Sequence, residues 1–393
     1  MGTDLFSGDA GTGENRSVPI SERYARHLSL AEVGAAGQEK LQRAHVLVIG
    51  AGGLGSPAAL YLAASGVGTL GIVDCDRVDV TNLQRQILFD TADIGQPKVE
   101  AARERLQALN PEIRIVVHNL ELRANDIRDV FKGYDVILDG TDRMETRFLV
   151  NDACVILKKP LVSAAIHRFE GQAMTYVPGR GPCYRCLFPE PPAPGTIPSC
   201  ADAGVLGVLP GVLGTIQATE AIKLIVGAGE PLIGRLLTYD ALGLRFQEFA
   251  FERRKDCAVC GDRPTITEPR DSVALCSTDD LAKVRRLSAR ELQSILGSNR
   301  ASEFVLVDVR EPAEFAVSRL PNARNIPVAE LSRKIGDLPA ERTPVFICRS
   351  GGRSITACAI AMRSGIAAPA HLEGGLLAWA AQAEPAFVVA PLS

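Results

Sequence analysis

The sequence predicts two consecutive α/β domains, the first of them built on a doubly wound parallel sheet. Apolar strands alternate with helical segments in the first half of the chain, and a glycine-rich turn follows the first of these strands. A strand-turn-helix pattern returns near the C-terminus. The 393 residues are sufficient for two or three domains of about 150 residues each.

Apolar runs and helical periodicity justify the elements of the first domain. Strands are predicted over 46–50, 70–76, 113–118, 135–142 and 160–166, and helices over 55–65 and 98–109. In a doubly wound sheet, ligands bind beyond the carboxyl ends of the strands. Gly52, Asp74 and Asp142 each lie at such an end. We therefore expect a ligand site at this edge of the sheet.

The composition is that of an ordinary globular protein. Hydrophobic residues make up 46% and charged residues 23%, and the net charge is −3, so nothing indicates a nucleic-acid partner. Residues 1–19 lack the order of a signal peptide and are predicted to be a disordered tail. The longest uncharged stretch, 203–219, is predicted to be a buried core helix rather than a membrane span. We therefore expect a cytoplasmic protein.

A change of composition separates the two domains. The first is predicted to span 20–262, and residues 263–286, which lack a clear period, are predicted to be a linker. The second domain, 287–393, is predicted to begin with a helix whose first turn is capped by Ser288 and Glu291.

The glycine-rich turn lies in VLVIGAGGLGS, residues 46–56, where Gly50, Gly52 and Gly55 form a G-x-G-x-x-G pattern. Glycines allow backbone N–H groups to approach a phosphate at a helix N-terminus. Alone, the pattern is equally typical of turns that bind NAD or flavin, and it also occurs in turns without a ligand.

Cationic residues favour phosphoryl chemistry over hydride transfer. Arg85 and Lys98 follow the second predicted strand. Attack on phosphorus needs such cations because negative charge develops on the phosphate oxygens. Asp142 adds a carboxylate of the kind that binds Mg²⁺. An NAD-dependent oxidoreductase is thus the weaker alternative.

Four segments carry a family resemblance: GAGGLGS at 50–56, DCDRVDVTNLQRQ at 74–86, GQPK at 95–98 and DGTD at 139–142. Together they resemble the ubiquitin-activating-enzyme superfamily, and most closely its bacterial MoeB/ThiF type, which adenylates small ubiquitin-like sulfur carriers. The resemblance runs from about Arg23 to Cys260. It implies a Rossmann-like adenylation domain that uses ATP and Mg²⁺ and forms a homodimer.

The resemblance also implies roles for individual residues. ATP contacts are implied for Gly53, Asp74, Asn82, Leu83, Gln84, Arg85, Lys98, Asp142 and Arg143. Asp142 is further implied to act with magnesium in adenylation, and Arg26 to reach the active site of the dimer partner. Arg143 departs from the family, in which asparagine usually follows this aspartate, so we expect its nucleotide contact to differ.

Two C-x-x-C pairs, Cys183/Cys186 and Cys257/Cys260, indicate a structural zinc site. Tetrahedral zinc binds four thiolates, and such a closed site leaves no position for a substrate. The resemblance also implies structural zinc here, and a redox role for either pair is the alternative. Because a cytoplasmic chain keeps its cysteines reduced, we expect none of the ten to form disulfides.

Cys200 follows a proline-rich loop at 189–199 and precedes a predicted helix. A cysteine near a helix N-terminus can be nucleophilic, and an inert thiol is the alternative. In the family, the matching cysteine lies on a mobile loop and in some members links covalently to the carrier. Cys200 is therefore a candidate catalytic residue for a thioester or disulfide step.

Cys348 opens CRSGGR, residues 348–353, between an apolar strand and a helix. Two arginines, a helix N-terminus and successive backbone N–H groups all favour a thiolate there. Four residues separate Cys348 from Arg353, whereas phosphatase loops usually place five, and the smaller loop suits a sulfur atom. The predicted persulfide loop consists of Arg349, Ser350, Gly351, Gly352 and Arg353.

Three further segments extend this pattern: VLVDVREPAEF at 305–315, ARNIP at 323–327 and LEGGLLAW at 372–379. With the Cys348 loop they resemble a rhodanese domain, over 287–393. The resemblance implies that Cys348 carries a terminal sulfane sulfur. A purely structural or binding role for the domain is the alternative.

Together, the two resemblances predict a sequential reaction. The C-terminal Gly-Gly carboxylate of a small β-grasp carrier protein is adenylated, and sulfur from a Cys348 persulfide then gives a carrier thiocarboxylate, as molybdopterin or thiamine biosynthesis requires. The expected partners are this carrier, a sulfur donor (thiosulfate or a cysteine desulfurase) and a second copy of the chain, with neither nucleic acid nor membrane. A ubiquitin-like conjugation activator acting through Cys200 is the alternative.

Overall fold

Two separate sheets organise the chain, one in each α/β unit of the computed structural model. The structure describes residues 22–191, 204–271 and 284–389. The first unit contains the described residues up to Asp271, and the second contains those from Val284 onward.

Eight strands of the described residues form the sheet of the first unit. They are β1 (His45–Ile49), β2 (Thr69–Val73), β3 (Arg114–His118), β4 (Val136–Asp139), β5 (Leu161–His167), β6 (Glu170–Tyr176), β7 (Arg235–Asp240) and β8 (Arg245–Ala250). Their spatial order is β3-β2-β1-β4-β5-β6-β7-β8, with β1 to β5 parallel and β6 to β8 antiparallel. The parallel part is as predicted, and the chain order reverses at β1, the position at which doubly wound sheets bind ligands.

Helices cover both faces of this sheet. They are α1 (Ala25–Leu28), α2 (Gly34–Arg43), α3 (Gly55–Ala64), α4 (Lys98–Leu109), α5 (Ile127–Phe131), α6 (Met144–Ile156), α7 (Tyr184–Leu187) and α8 (Val208–Val226). Successive residues of β1 alternate between two hydrophobic clusters: Val46 and Val48 pack with α3, α4 and α8, whereas Leu47 and Ile49 pack with α5 and α6. This alternation confirms the predicted doubly wound architecture.

Helix α8 confirms the buried core helix predicted within 203–219. It packs against α3 and β5, and Leu209, Leu213 and Leu224 are buried. Among the described residues it is also the helix whose length and apolarity would allow a membrane span, and 56% of that apolar window is buried.

Five strands form the sheet of the second unit: β9 (Arg285–Leu287), β10 (Phe304–Asp308), β11 (Arg324–Asn325), β12 (Thr343–Ile347) and β13 (Ala370–Leu372). All pairs are parallel, in the order β11-β10-β12-β13-β9. The accompanying helices are α9 (Ala289–Leu296), α10 (Pro312–Val317), α11 (Val328–Lys334), α12 (Gly352–Arg363) and α13 (Gly375–Gln382). Arg285 and Arg286, predicted to be linker, already belong to β9.

The first helix of this unit begins as predicted. The Glu291 backbone N–H donates to Ser288 Oγ, at 3.3 Å, and the Ser288 N–H donates to Glu291 Oε2, at 2.8 Å. This reciprocal pair confirms the predicted capping box.

Candidate functional site

The glycine-rich turn joins β1 to α3 at the predicted edge of the sheet. Gly50 has a φ of +87°, and a Cβ on Gly55 would lie only 1.8 Å from the Gly50 carbonyl oxygen, so the turn requires both glycines. The N–H groups of Gly52 and Gly53 have no hydrogen-bond partner among the described residues. They lie just before the N-terminus of α3, an arrangement that suits an anionic ligand.

Asp74, directly after β2, is fixed against this turn. Its carboxylate accepts hydrogen bonds from the Ala51 and Asp76 backbone N–H groups, each at 2.8 Å. Burial raises the pKa of Asp74, an effect that the nearby Lys98 opposes. The Lys98 ammonium is itself buried and donates to Asp76 Oδ2, at 2.9 Å. The strand end thus holds two carboxylates and one cation beside the turn.

The predicted nucleotide-binding segment 82–85 begins at the last residue of a short 3₁₀ helix, Val80–Asn82. Arg85 lies at the glycine turn, since its Cγ would be 3.6 Å from a Cβ on Gly53. Asn82 Oδ1 accepts from the Asp79 N–H, at 3.3 Å. In the same segment, Leu83 packs partly buried against the hydrophobic core, and a Cβ on Gly207 would lie 2.5 Å from the Gln84 side chain.

Asp142 lies on an exposed turn after β4, and a buried network holds that turn. Asp139 is fully buried and accepts from Arg147 Nε at 3.2 Å and from Ser163 Oγ at 3.0 Å. Arg147 also donates to the Thr141 carbonyl, at 2.7 Å. Sequence reasoning missed Asp139 and Arg147 as supports, although an acid that ends a strand and an arginine in the first helical turn were visible in DGTDRMETR.

Two predicted arginines, Arg143 and Arg26, differ in the partners that they have among the described residues. Arg143 pairs with Glu121, which follows β3. This places its guanidinium at the carboxyl edge of the sheet, on the side of β2 and β3. Arg26 is exposed on α1 and makes no hydrogen bond or ion pair with any described residue.

The four predicted zinc cysteines come together, although about 70 residues separate the two pairs. Their Sγ atoms all lie within 4.8 Å of one another, with Cys183 and Cys257 at 3.7 Å and Cys186 and Cys260 at 3.3 Å. Thiolates about 2.3 Å from a tetrahedral zinc ion lie about 3.8 Å apart, so the spacing fits that metal. Hydrogen bonding with Cys183 lowers the pKa of the Cys186 thiol to about 6.

Polar contacts lock the first cysteine pair onto helix α6. Arg185 makes a bidentate ion pair with Asp152, at 2.7 and 2.8 Å, and both residues are buried. The Tyr184 N–H donates to Asn151 Oδ1, at 2.8 Å. The Tyr184 ring also lies under the Arg147 guanidinium, 5.9 Å from ring centre to Cζ. The cysteine cluster and the Asp142 turn are thus attached to the same helix.

Cys348, in the second unit, directly follows β12 and lies in the turn before α12. Its side chain is buried, and its Sγ accepts from the N–H groups of Gly351 and Ser354, at 3.1 and 3.4 Å. Gly351 has a φ of +102°. The Leu376 N–H donates to the Cys348 carbonyl, at 2.9 Å, so the LEGGLLAW segment (372–379) holds the start of the loop.

Arg353 makes a strong contact beside this loop. Its guanidinium makes two hydrogen bonds to the Glu314 carboxylate, at 2.7 and 2.9 Å. Its predicted role in stabilising the Cys348 sulfur stays a prediction. Arg349 is half-buried, and Ser350 and Gly352 are exposed around the loop. Sequence reasoning missed Glu314, although it lies in the segment DVREPAEF, 308–315, that carries the rhodanese resemblance.

Two predicted features lie outside the described residues. They are Cys200, the candidate second nucleophile, and the predicted tail 1–19.

Comparisons with known proteins match both units. A model described as the ThiF family matches residues 24–259, and one described as a rhodanese-like domain matches residues 288–382. The chain is 46% identical over 378 residues to the probable adenylyltransferase/sulfurtransferase MoeZ of Mycobacterium tuberculosis, covering 93% of this chain and 94% of that protein.

Two other relatives match different extents of the chain. The adenylyltransferase and sulfurtransferase MOCS3 of Mus musculus is 41% identical, with 93% of this chain and 86% of that protein covered. The sulfur carrier protein adenylyltransferase of Thermus thermophilus is 50% identical over 260 residues, which are 65% of this chain and 96% of that protein. The solved structure of E. coli MccB matches with a TM-score of 0.56 and 26% identity, over 62% of this chain and 73% of MccB.

Proposed function

The chain belongs to the ThiF family, and from this premise we propose that it adenylates the C-terminal Gly-Gly carboxylate of a small β-grasp carrier protein and then transfers sulfur to it. It is an adenylyltransferase/sulfurtransferase. The observation that carries the proposal is the presence of both sites on one chain: a glycine turn with cations nearby, and a cysteine in a loop of N–H donors.

The first step activates a poor electrophile. A carrier carboxylate oxygen attacks the α-phosphorus of ATP, and pyrophosphate leaves as the acyl-adenylate forms. The N–H groups of Gly52 and Gly53, unpartnered among the described residues, and the cations of Arg85 and Lys98 stabilise the charge that develops on phosphate oxygens. Asn82, Leu83, Gln84 and Arg143 complete the proposed contact set, and Asp74 holds the ribose. Asp142 would hold Mg²⁺, which neutralises phosphate charge when bound.

The second step uses Cys348 of the second unit. The terminal sulfur of a Cys348 persulfide attacks the activated carbonyl, a C–S bond forms, and AMP leaves. A second thiolate then attacks Cys348 Sγ, forms a disulfide with it, breaks the S–S bond to the acyl sulfur and so releases the carrier thiocarboxylate. An external thiol reductant returns this disulfide to two thiols. Cys200 is our candidate for that thiolate, and thiosulfate or a cysteine desulfurase is the proposed source of the persulfide sulfur.

We propose that the four-cysteine cluster holds structural zinc. The donor set, the sulfur spacing and the burial all suit that ion, and a closed four-sulfur site leaves no open position for chemistry. We also propose a homodimer in which Arg26 serves the partner's nucleotide site, since this exposed side chain is unpaired within the described part of its own chain.

The proposed function is tested with a Gly-Gly carrier, ATP, Mg²⁺, thiosulfate and reductant. We expect the carrier mass to change by the exchange of one oxygen for one sulfur. Cys348→Ala should abolish the change, whereas Cys358→Ala, which removes another buried cysteine of the same unit, should retain it. An unchanged carrier mass with the wild-type enzyme contradicts the proposal.

A further inference from the structure

Two buried polar side chains lie behind the Cys348 sulfur and take no part in the reaction above. Cys348 Sγ–H donates to Ser354 Oγ, at 3.6 Å, and Ser354 Oγ lies 3.3 Å from His371 Nδ1. The three residues are 1%, 0% and 2% exposed. Ser354 belongs to α12 and His371 to β13, so three elements converge on the sulfur.

The hydrogen bonds around Ser354 fix which groups donate. Its single hydroxyl proton is directed to the Gly351 carbonyl, at 2.8 Å. Ser354 Oγ is therefore the acceptor toward His371, whose Nδ1 carries the proton. Burial lowers the pKa of His371 and so favours the neutral ring, in which Nε2 carries no proton when Nδ1 carries one. That nitrogen, Nε2, is buried and has no partner among the described residues.

We propose that Ser354, oriented by His371, is a positioning residue that stabilises negative charge on the Cys348 sulfur. This inference rests on the proposed function, because a thiolate is required to form a persulfide. Once the sulfur is ionised it no longer donates to Ser354, and the Ser354 hydroxyl can turn from Gly351 to the sulfur. His371 continues to donate to Ser354 Oγ and so keeps the hydroxyl proton directed away from itself.

Rotation of the Ser354 hydroxyl toward the sulfur does not leave the Gly351 carbonyl without a hydrogen bond. The Gly351 carbonyl keeps a second donor, the Ile355 N–H, at 3.2 Å. The ionised sulfur then has three donors: the N–H groups of Gly351 and Ser354 and the Ser354 hydroxyl. The Arg353 guanidinium donates two hydrogen bonds to the Glu314 carboxylate, so the Ser354 hydroxyl is a donor separate from that ion pair. The third donor therefore makes a distinct contribution to thiolate stability.

The test is the alkylation rate of Cys348 by iodoacetamide in the full-length protein at one fixed pH, followed by peptide mass spectrometry. Ser354→Ala and His371→Leu are expected to slow alkylation about tenfold, since a hydrogen bond to a charged group is lost. Asn places an amide N–H where Nδ1 stood, so His371→Asn should stay within about threefold of wild type, a rescue that only the donor role predicts. Thr356→Ala, on the same helix, is the control and should be unchanged.

Ser354→Thr and Ser354→Val introduce side chains of nearly the same shape, of which only Thr has a hydroxyl. Their comparison tests the role of the hydroxyl even if Ser354→Ala does not fold. Ser354→Thr should be alkylated at Cys348 at the wild-type rate, and Ser354→Val should be alkylated more slowly. Equal rates for Thr and Val, or faster alkylation of Ser354→Ala through the space it opens, overturn the inference. Alkylation needs no carrier, ATP or sulfur donor. Failure of the proposed function would therefore appear separately, as wild-type protein that is alkylated at Cys348 but forms no thiocarboxylate.

Discussion

The Glu314 carboxylate and the Arg353 guanidinium form a nearly buried ion pair beside the Cys348 loop. Burial acts to raise the pKa of Glu314, but the hydrogen bonds from Arg353 outweigh it, and the pKa lies below its usual 4.5. A lowered folded-state pKa means that the pair stabilises the fold above the unfolded value. That contribution is lost as the pH falls through the folded value.

Glu314→Gln should therefore destabilise the second unit at pH 7 by about 2 kcal/mol, the scale of a hydrogen bond to a charged group. The difference from wild type should shrink as the pH falls below 4.5. Trp379, the single tryptophan of the chain, reports unfolding of this unit by fluorescence. Glu303→Gln, which breaks an exposed pair, should change stability by at most about 0.5 kcal/mol. An equal loss for Glu314→Gln at pH 3 and pH 7 would contradict the argument.

At the scale of elements, strand ends and turns determine where chemistry is placed. The parallel strands, the glycine turn and the capping box at Ser288 could be predicted because each depends on residues close in sequence. The antiparallel strands β6 to β8 were not predicted, and β7 and β8 lack a continuous apolar run because β7 is only partly buried and β8 is exposed along its whole length. The Glu314–Arg353 pair joins residues 39 apart in sequence, and local pattern does not specify such a partner.

The cysteine cluster is also an element-scale feature, because it fastens α7 to the segment after β8. We expect about one zinc ion per chain and protection of these four thiols from a thiol reagent. Cys186→Ser should lose the metal and expose the remaining thiols. Cys154→Ala, which removes a buried cysteine of the same hydrophobic core outside the cluster, should retain both. Metal content that is unchanged in Cys186→Ser would contradict a four-cysteine site.

For the whole molecule, the two units divide the reaction between them. The first unit holds the glycine turn and the cations, and the second holds Cys348, whose sulfur is the proposed nucleophile, each with its own sheet and core. Covalent linkage raises the effective concentration of the persulfide near the acyl-adenylate without adding any new contact. The division implies that the adenylation step does not need Cys348.

The most direct test of this division is carrier-dependent exchange of labelled pyrophosphate into ATP. Cys348→Ala should exchange at the wild-type rate, within about twofold, while forming no thiocarboxylate. Loss of exchange in Cys348→Ala, in protein whose second unit still folds by Trp379 fluorescence, would contradict the account, because adenylation would then depend on Cys348 of the second unit.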